Sequence, residues 1–213
     1  MGNENSMKRE NVFWNRDVYA DCPQLEDDKY LMKLISESDW QDLLKVYSDK
    51  DAVPFFNSDN CNGEDFYLTT EERMKEMIRM WRLSYEERGF VRWSIVDKQG
   101  GCVIGTIELF HRDAADYFTD CGLLRLDIRS DYEREEEIVR IVSLILEPAF
   151  VLFRCGKIAT KAVPEAAERI KGLKRLGFAA AEEKVIGHDG TRYGDYFVVV
   201  RSEETSKAVL NYL

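Results

Sequence analysis

Residues Gly122–Arg154, GLLRLDIRSDYEREEEIVRIVSLILEPAFVLFR, decide how this chain folds. They are typical of a buried strand, a tight turn and a long helix that is largely apolar after its first turn. Strand-to-helix turns of α/β proteins hold phosphates, because free amides at the helix start face the ligand and the helix dipole favours an anion. Such a turn usually carries glycines, whereas this one carries Arg134 and several acids, namely Glu133, Glu135, Glu136 and Glu137. The stretch predicts an α/β fold and leaves the state of the phosphate site open.

The composition limits the class of protein. The chain has 213 residues, of which 45% are hydrophobic and 12% aromatic, which is enough for a packed domain. The net charge of −10 argues against a general nucleic-acid binder, because affinity for nucleic acid rests on neutralising phosphates with Lys and Arg. No apolar run reaches the ~20 residues of a membrane span. We therefore expect neither nucleic acid nor a membrane as a partner.

The cysteines and histidines are few and scattered. The sequence holds five cysteines with no CxxC pair and two histidines, so we expect no metal site. Unpaired cysteines favour a reduced setting inside the cell. The N-terminus is polar and lacks the apolar segment of a secretory signal, so the expected location is cytoplasmic.

Hydrophobic periodicity and turn residues divide the chain into strands and helices. Helix starts are predicted at three capping-box patterns, Ser38–Gln41, Thr69–Glu72 and Ser130–Glu133. Pro164 is expected at the first position of a later helix, which ends at Gly177. The predicted strands are Tyr30–Ile35, Val91–Val96, Cys102–Phe110, Leu123–Ile128, Lys157–Val163, Phe178–Ile186 and Tyr193–Arg201.

The resulting element order is β-α-α-β-β-β-α-β-α-β-β. This order predicts an α/β (α+β) fold with a mixed sheet of about seven strands flanked by helices. No break in composition divides the chain, so we expect a single domain over residues 29–202. Residues 1–28 are predicted to be an irregular lead-in, and residues 203–213 a short C-terminal helix.

That order, together with three short patterns, resembles the GNAT superfamily of N-acetyltransferases, and within it the RimJ/RimL-like branch. The patterns are Ile104–Ile107 (IGTI), the strand-to-helix element Leu123–Leu146 and Leu173–Phe178 (LKRLGF). The resemblance covers about residues 30–202. It implies a mixed, splayed β-sheet, with acetyl-CoA bound in the cleft between the fourth and fifth predicted strands.

The resemblance also implies which residues contact the cofactor. In the family the backbone of the fourth strand pairs with the pantetheine arm, which assigns Leu126, Asp127 and Ile128 to this role. A loop of pattern Q/R-x-x-G-x-G/A then wraps the pyrophosphate. The implied loop residues are Arg129, Arg134, Glu135 and Glu136.

This loop departs from the family pattern. When the pattern is laid on residues 131–136, its basic or polar first position is Asp131, and its two glycines become Arg134 and Glu136. Glycines let amides approach the phosphates without an intervening Cβ, and acids place like charge beside an anion. Arg129 and Arg134 could partly compensate as direct phosphate partners. In the alternative interpretation, Ser130–Glu133 caps the helix, and the first-turn glutamates serve the helix dipole without a ligand.

A second departure lies in the helix that follows the fifth strand. The family often has an Asn there and a Ser three residues later, and the matching positions here are Ala166 and Arg169. The resemblance implies that the Asn helps to hold the pantetheine and the leaving thiol. Its absence weakens the transfer of the family's function to this chain.

Acetyl transfer to an amine needs a base that takes the ammonium proton, and an acid can reprotonate the thiolate. Glu108 on the third predicted strand and Asp127 on the fourth are the candidate bases. Tyr196 is the candidate acid, with Tyr193 as the second choice. Each of these side chains could instead be an ordinary strand residue. His111 is more typical of a surface or capping group than of a base.

Two functions follow from these observations. The first is an acetyl-CoA-dependent N-acetyltransferase that acts on a primary amine of a small molecule or a protein N-terminus, and the acidic surface suits a cationic acceptor. The alternative is a catalytically inactive GNAT-fold binding or regulatory module, which is motivated by the missing glycines, basic residue and Asn. The acceptor and the oligomeric state, including a possible homodimer, stay open.

Overall fold

A large mixed sheet forms the centre of the molecule. The computed structural model describes residues 17–61 and 63–202. Its strands are β1 (Leu25–Glu26), β2 (Tyr30–Leu34), β3 (Val91–Asp97), β4 (Cys102–Arg112), β5 (Cys121–Ile128), β6 (Lys157–Lys161), β7 (Ala179–Ala180), β8 (Val185–Ile186), β9 (Arg192–Tyr193) and β10 (Tyr196–Val200). Eight of them form one sheet in the order β1-β2-β3-β4-β5-β6-β10-β7, and β8 pairs with β9 separately. The predicted α/β (α+β) class with a large, mixed sheet is confirmed.

The strand β5 is the predicted fourth strand, and β6 is the predicted fifth. These two strands run parallel to each other, whereas the other neighbours in the sheet are antiparallel. A parallel pair needs a crossover connection, and the long helix that follows β5 supplies it. The helix therefore packs over the sheet directly behind the candidate site.

Four helices cover the two faces of the sheet. They are α1 (Trp40–Tyr47), α2 (Glu71–Glu86), α3 (Glu135–Leu152) and α4 (Ala167–Arg175). The helices α1 and α2 pack together on one face around Tyr47 and Trp81. The helices α3 and α4 pack on the other face around Ile141 and Leu173. Because both faces are covered, even the polar side chains that alternate along the central strands become buried.

The capping residues of the first two helices lie close to the predicted positions but not at them. The capping box before α1 joins Ser36 and Asp39 across a 3-10 turn, instead of the predicted pair in Ser38–Gln41. Thr70 caps α2 by accepting a hydrogen bond from the amide of Arg73 at 3.3 Å, one residue later than predicted. Ser and Thr cap helices about equally well, so neighbouring Ser and Thr residues are hard to distinguish as caps from the sequence.

The predicted capping box at Ser130–Glu133 is wrong. Ser130–Tyr132 is a separate 3-10 turn, and α3 begins later, at Glu135. The physical reason is the position of the Glu133 carboxylate. It pairs with the guanidinium of Arg169 instead of reaching back to the amide at the start of the turn.

The helix α4 ends as predicted but begins later. Pro164 precedes it by a turn, so the prediction that Pro164 occupies the first helical position is wrong. The amide of Ala166 bonds to the carbonyl of Val163 at 2.9 Å, which forms a separate turn before the helix. Gly177 has φ +88°, and the next amide, of Phe178, bonds back to the Leu173 carbonyl at 3.0 Å. This left-handed glycine ends the helix as predicted.

The predicted hairpin between Phe178–Ile186 and Tyr193–Arg201 is divided in two. The strand β7 pairs with β10 in the main sheet, whereas β8 pairs with β9 in a small two-stranded ribbon. A turn at Gly187–Thr191 joins the two strands of the ribbon, and in it the amide of Gly187 bonds to the carbonyl of Thr191 at 2.7 Å.

The lead-in is less irregular than predicted, because Leu25–Glu26 pairs with β2. Residues 1–16 of the lead-in lie outside the described residues. The predicted C-terminal helix over residues 203–213 also lies outside them. The division of the chain into these segments stays a prediction.

All five cysteines are free thiols. Within residues 17–61 and 63–202, no three metal-ligating side chains gather into a cluster. In the same ranges, no helix has the length and apolar character needed to cross a membrane.

Candidate active site

The pairing between β5 and β6 ends half-way along β5. Parallel register runs from Cys121 opposite Lys157 to Leu124 opposite Thr160. Beyond this point β5 pairs only with β4, and β6 pairs only with β10. We call the gap between the end of β6 and residues 125–128 of β5 the wedge. The wedge lies where the resemblance implies the acyl-donor cleft.

Arg169 of α4 fills the wedge. Its guanidinium donates to the carbonyl of Leu126 at 2.9 Å and to the carbonyl of Phe55 at 2.9 Å. Two further N–H groups donate to both carboxylate oxygens of Glu133 at 2.7 Å. Arg169 is 2% exposed. A carbonyl that lost its strand partner is thus satisfied by a side chain of the same molecule, as burial of a backbone group requires.

The loop that follows α1 closes the wedge on the side of β6. The Asp59 carboxylate accepts a hydrogen bond from Lys161 at the end of β6 at 2.6 Å. The backbone carbonyl of Asp59 accepts one from Arg125 of β5 at 2.8 Å. Asn57 and Asp59 are both buried although they lie in a polar loop. The loop therefore bridges the two strands that separate here.

The first amide of α3 is satisfied within the chain. This amide, of Glu135, donates to the carboxylate of Glu168 at 3.3 Å. Arg175 donates to Glu135 at 2.8 Å and to Glu136 at 2.6 Å. The resemblance places a pyrophosphate at this point, and the structure places a protein carboxylate there.

The two arginines predicted to contact phosphate, Arg129 and Arg134, lie near the start of α3 but differ in their partners and in their exposure. Arg129 holds Asp131 through two hydrogen bonds of 2.6 and 2.7 Å, and this pairing raises the pKa of the guanidinium. The Arg134 side chain is 63% exposed and lies 3.4 Å from Glu137. Of the two, Arg134 is the one that a ligand could reach without first displacing a bidentate partner.

A buried polar cluster lies on the other face of the sheet, beneath α1 and α2. Arg92 of β3 donates to Glu108 of β4 and to Asp127 of β5, the latter at 3.2 Å. The same guanidinium donates to Tyr47 at 2.8 Å and to Thr106 at 3.0 Å. It also lies 4.0 Å from the centre of the Trp81 ring, within range of a cation–π contact. The structure thus brings together the two predicted bases, Glu108 and Asp127, around one cation; we call this group the Arg92 cluster.

Burial and charge shift the pKa values of groups in the Arg92 cluster. Burial raises the pKa of Asp127, and the nearby Arg92 guanidinium opposes this only in part. Burial alone would lower the pKa of Arg92, but the attraction of Glu108, Tyr47 and Asp127 together outweighs it, and the pKa is raised. Asp127 Oδ1 is buried without a hydrogen-bond partner among the described residues. An acid with a raised pKa and a free oxygen is suited to taking and releasing a proton.

Tyr196, the predicted acid, is held by the loop after α1. Its hydroxyl donates to Asp59 at 3.0 Å and accepts from the Asn57 amide at 3.1 Å. Burial raises the pKa of Tyr196, and the Asp59 carboxylate raises it further. The phenol therefore keeps its proton throughout the neutral range.

Arg125 joins Tyr196 to the Arg92 cluster. One of its nitrogens lies 3.3 Å from Glu108 Oε1 without hydrogen-bond geometry, and another donates to the carbonyl of Asp59. The second-choice tyrosine, Tyr193, is half-buried on β9 with its ring 5.8 Å from the Lys161 amine. His111 is exposed, and its Nδ1 lies 2.7 Å from the carbonyl of Phe153 at the end of α3.

Sequence reasoning did not identify the three arginines that organise the site, Arg92, Arg125 and Arg169. A signal for two of them was present. The polar positions of three successive strands read basic, acidic and basic, and register places Arg92 opposite Glu108 and Glu108 opposite Arg125. Arg169 was noted only as a departure from the Ser that the family often has, and its contacts depend on how α4 packs against α3.

The comparisons with known proteins agree with this geometry. A family model described as the acetyltransferase (GNAT) domain matches residues 30–179. This chain belongs to the GNAT acetyltransferase family. The predicted resemblance to the GNAT superfamily is confirmed. No curated protein sequence matches the chain at a significant level.

Solved structures of GNAT proteins share its fold at low sequence identity. RimJ from Mycobacterium smegmatis, solved with a CoA disulfide, has a TM-score of 0.64 at 13% identity, covering 89% of this chain and 92% of that one. A ribosomal-protein-S5-alanine acetyltransferase from Vibrio fischeri has a TM-score of 0.62 at 17% identity, with 85% and 98% covered. A GCN5-related N-acetyltransferase from Brucella melitensis has a TM-score of 0.63 at 14% identity, with 89% and 83% covered.

Membership of the GNAT family establishes the enzyme class, N-acetyltransferase, and its acyl donor, acetyl-CoA. The wedge in its present arrangement does not fit the pantetheine arm, because Arg169 already takes the Leu126 carbonyl. The first amide of α3 is not free for a pyrophosphate either, because Glu168 already takes it. The part played by each predicted site residue in binding and catalysis stays a prediction.

Proposed function

We propose that this GNAT protein acetylates a primary amine, carried by a small molecule or by a protein N-terminus. The observation that carries the proposal is the separation of β5 from β6 after Leu124 and Thr160, within the region matched by the family model. The neighbour named for alanine acetylation of a ribosomal protein makes peptides with an N-terminal alanine the first acceptors to test.

Charge supports a cationic acceptor. The chain carries a net charge of −10, which draws amines toward its surface. Glu108 and Asp127, both buried beside Arg92, are the acids that would take the ammonium proton of an acceptor that reaches them, and Tyr196 is the group that would supply one. The free cysteines suit the reducing cytoplasm, where we place this reaction.

Acetyl-transfer assays with the full-length chain test the proposal. The chain is incubated with acetyl-CoA and a panel of small primary amines and peptides with free N-termini, and each product is weighed by mass spectrometry. We expect the mass of one acetyl group on at least one acceptor. The variant Tyr196→Phe should lower the turnover number more than it changes the KM for the acceptor, because the phenol acts on the reaction and not on binding.

The alternative of a catalytically inactive binding or regulatory module rests on a specific observation. Arg169 and Glu168 satisfy from within the chain the groups that the acyl donor would use. Acetylation of any acceptor by the wild-type chain above the rate without protein contradicts the alternative. If neither the wild-type chain nor a variant lacking Arg169 acetylates any acceptor, the proposed function is contradicted.

A further inference from the structure

Arg169 fills the wedge that, under the proposed function, binds acetyl-CoA, and the inference that follows rests on that proposed function. We propose that Arg169 and Glu133 form an internal latch, which fills the acyl-donor cleft so that coenzyme A binds only after the guanidinium leaves the Leu126 carbonyl. The latch makes Arg169 the residue that determines access of the donor to the wedge.

The geometry of the latch is that of a strong, dry contact. Arg169 and Glu133 form a bidentate pair in which two parallel N–H groups meet two carboxylate oxygens, each at 2.7 Å. Both side chains are nearly inaccessible, at 2% and 7% exposed. The rigid fork of a guanidinium leaves its remaining nitrogen directed at the carbonyls of Leu126 and Phe55. One side chain thus ties together α4, β5 and the loops on both sides of the wedge.

The latch competes with a ligand for a defined group. The Leu126 carbonyl lies on the stretch of β5 that has lost its β6 partner. A buried carbonyl needs a donor, and both a guanidinium and an amide of the pantetheine arm can provide one. The carbonyl can accept two hydrogen bonds, but the buried guanidinium fills the space beside it, so the pantetheine amide can bond there only after the guanidinium moves.

The helix α4 also supplies a carboxylate at the place where the resemblance implies a phosphate. Glu168, the neighbour of Arg169, places its carboxylate at the first amide of α3. Hydrogen bonds from Lys171 and from this amide lower the pKa of Glu168, so the carboxylate is charged at neutral pH. The start of α4 therefore presents a donor to the wedge and an anion to α3 at the same time.

A glycine allows α4 to come this close. A Cβ at Gly172 would lie 2.9 Å from the Ile138 side chain and 3.1 Å from the carbonyl of Glu135. Both distances are shorter than ordinary contacts, so another residue would push α4 away from the start of α3. The close packing of the two helices holds Arg169 and Glu168 in position.

Calorimetric titration with coenzyme A tests the latch without relying on turnover. The proteins compared are the wild-type chain, Arg169→Ala, and Arg169→Ala combined with Glu133→Gln. The double variant removes the buried carboxylate that Arg169→Ala alone leaves unpaired, so it guards against a folding defect. Circular dichroism confirms that each protein is folded. Lys174→Ala, an exposed lysine on the same helix, is the matched control for loss of a positive charge.

We expect the double variant to bind coenzyme A at least tenfold more tightly than the wild-type chain, and Lys174→Ala to match the wild-type chain. Equal binding by the wild-type chain and the double variant would overturn the latch and leave the proposed function standing. No binding by either protein at millimolar coenzyme A would overturn the latch and the proposed function together. A gain in Lys174→Ala as large as that in the double variant would attribute the effect to charge and also overturn the latch.

Discussion

Arg92 illustrates how a strand residue becomes the centre of a site. It lies 1% exposed between Glu108 and Asp127. A buried charge is costly unless it is paired, and removal of one partner leaves the others unpaired. Glu108 and Asp127 were identified from the sequence because they are polar residues on predicted central strands. Arg92 was missed because a charged residue at an alternating position of a strand usually faces solvent. In the folded chain, α1 and α2 cover that face of β3.

The stability of the Arg92 cluster gives a prediction for a single residue. Arg92→Met leaves the buried Asp127 carboxylate without its cation and leaves Glu108 with Arg125 alone, so the free energy of unfolding should fall by about 3–5 kcal/mol. Urea denaturation followed by circular dichroism measures the change. Arg79→Met, an exposed arginine on α2, is the control and should change the free energy of unfolding by no more than about 0.5 kcal/mol. A loss below about 1 kcal/mol for Arg92→Met would show that the cluster does not depend on its cation.

Arg169 marks the limit of sequence reasoning at this scale. Its position was identified as a departure from the family pattern, at the place of a usual Ser. What the arginine contacts depends on the packing of α4 on α3, which no local pattern encodes. The sequence could therefore indicate an altered donor site and could not indicate what fills it.

At the scale of elements, the start of α3 is fixed to the first strands of the sheet. Glu137 in the first turn accepts hydrogen bonds from Lys29 at 2.6 Å and from the Tyr30 hydroxyl at 2.6 Å. Partial burial would raise the pKa of Glu137, but these hydrogen bonds outweigh burial and lower it. The first-turn glutamates were predicted to serve the helix dipole, and the structure shows that Glu137 also joins two elements that lie far apart in the chain.

The lowered pKa of Glu137 predicts a dependence of stability on pH. Because the pKa is lower in the folded than in the unfolded chain, its contribution to stability is present above the unfolded value of about 4.3 and is lost as the pH falls through the folded value. The wild-type chain should therefore exceed Glu137→Gln in stability at pH 6 to 7, and the two should converge in acid.

Urea denaturation of both proteins at a series of pH values between about 7 and 3 measures this convergence. Glu72→Gln, an exposed glutamate in the first turn of α2, is the matched control. Its difference from the wild-type chain should stay small throughout. A difference between Glu137→Gln and the wild-type chain that stays constant or grows as the pH falls would contradict the assigned direction of the pKa shift.

Element types were more predictable than their ends. The strands β3, β4 and β5 and the helices α1, α2 and α3 were predicted from hydrophobic periodicity, which reflects burial on one or both faces. The caps before α1 and α2 were misplaced by one or two residues, because adjacent Ser and Thr residues can cap equally well. The capping box at Ser130–Glu133 failed for a different reason, since a tertiary contact with Arg169 competes for Glu133.

At the scale of the whole molecule, the order of strands and helices was enough to identify the fold. A parallel pair inside an otherwise antiparallel sheet, joined by a long helix, places the separation of strands at one point, after Leu124 and Thr160. The family resemblance predicted that separation and its use for acetyl-CoA. The filling of the wedge by Arg169, and of the start of α3 by Glu168, is a property of this chain that only the assembled structure shows.

The most direct test of the account is a crystal structure of the Arg169→Ala and Glu133→Gln double variant grown with coenzyme A. The account predicts coenzyme A between β5 and β6, with its pantetheine arm at the Leu126 carbonyl. Coenzyme A bound on another part of the molecule, or a wedge closed by other side chains with no coenzyme A in it, would contradict the claim that this wedge is the acyl-donor site.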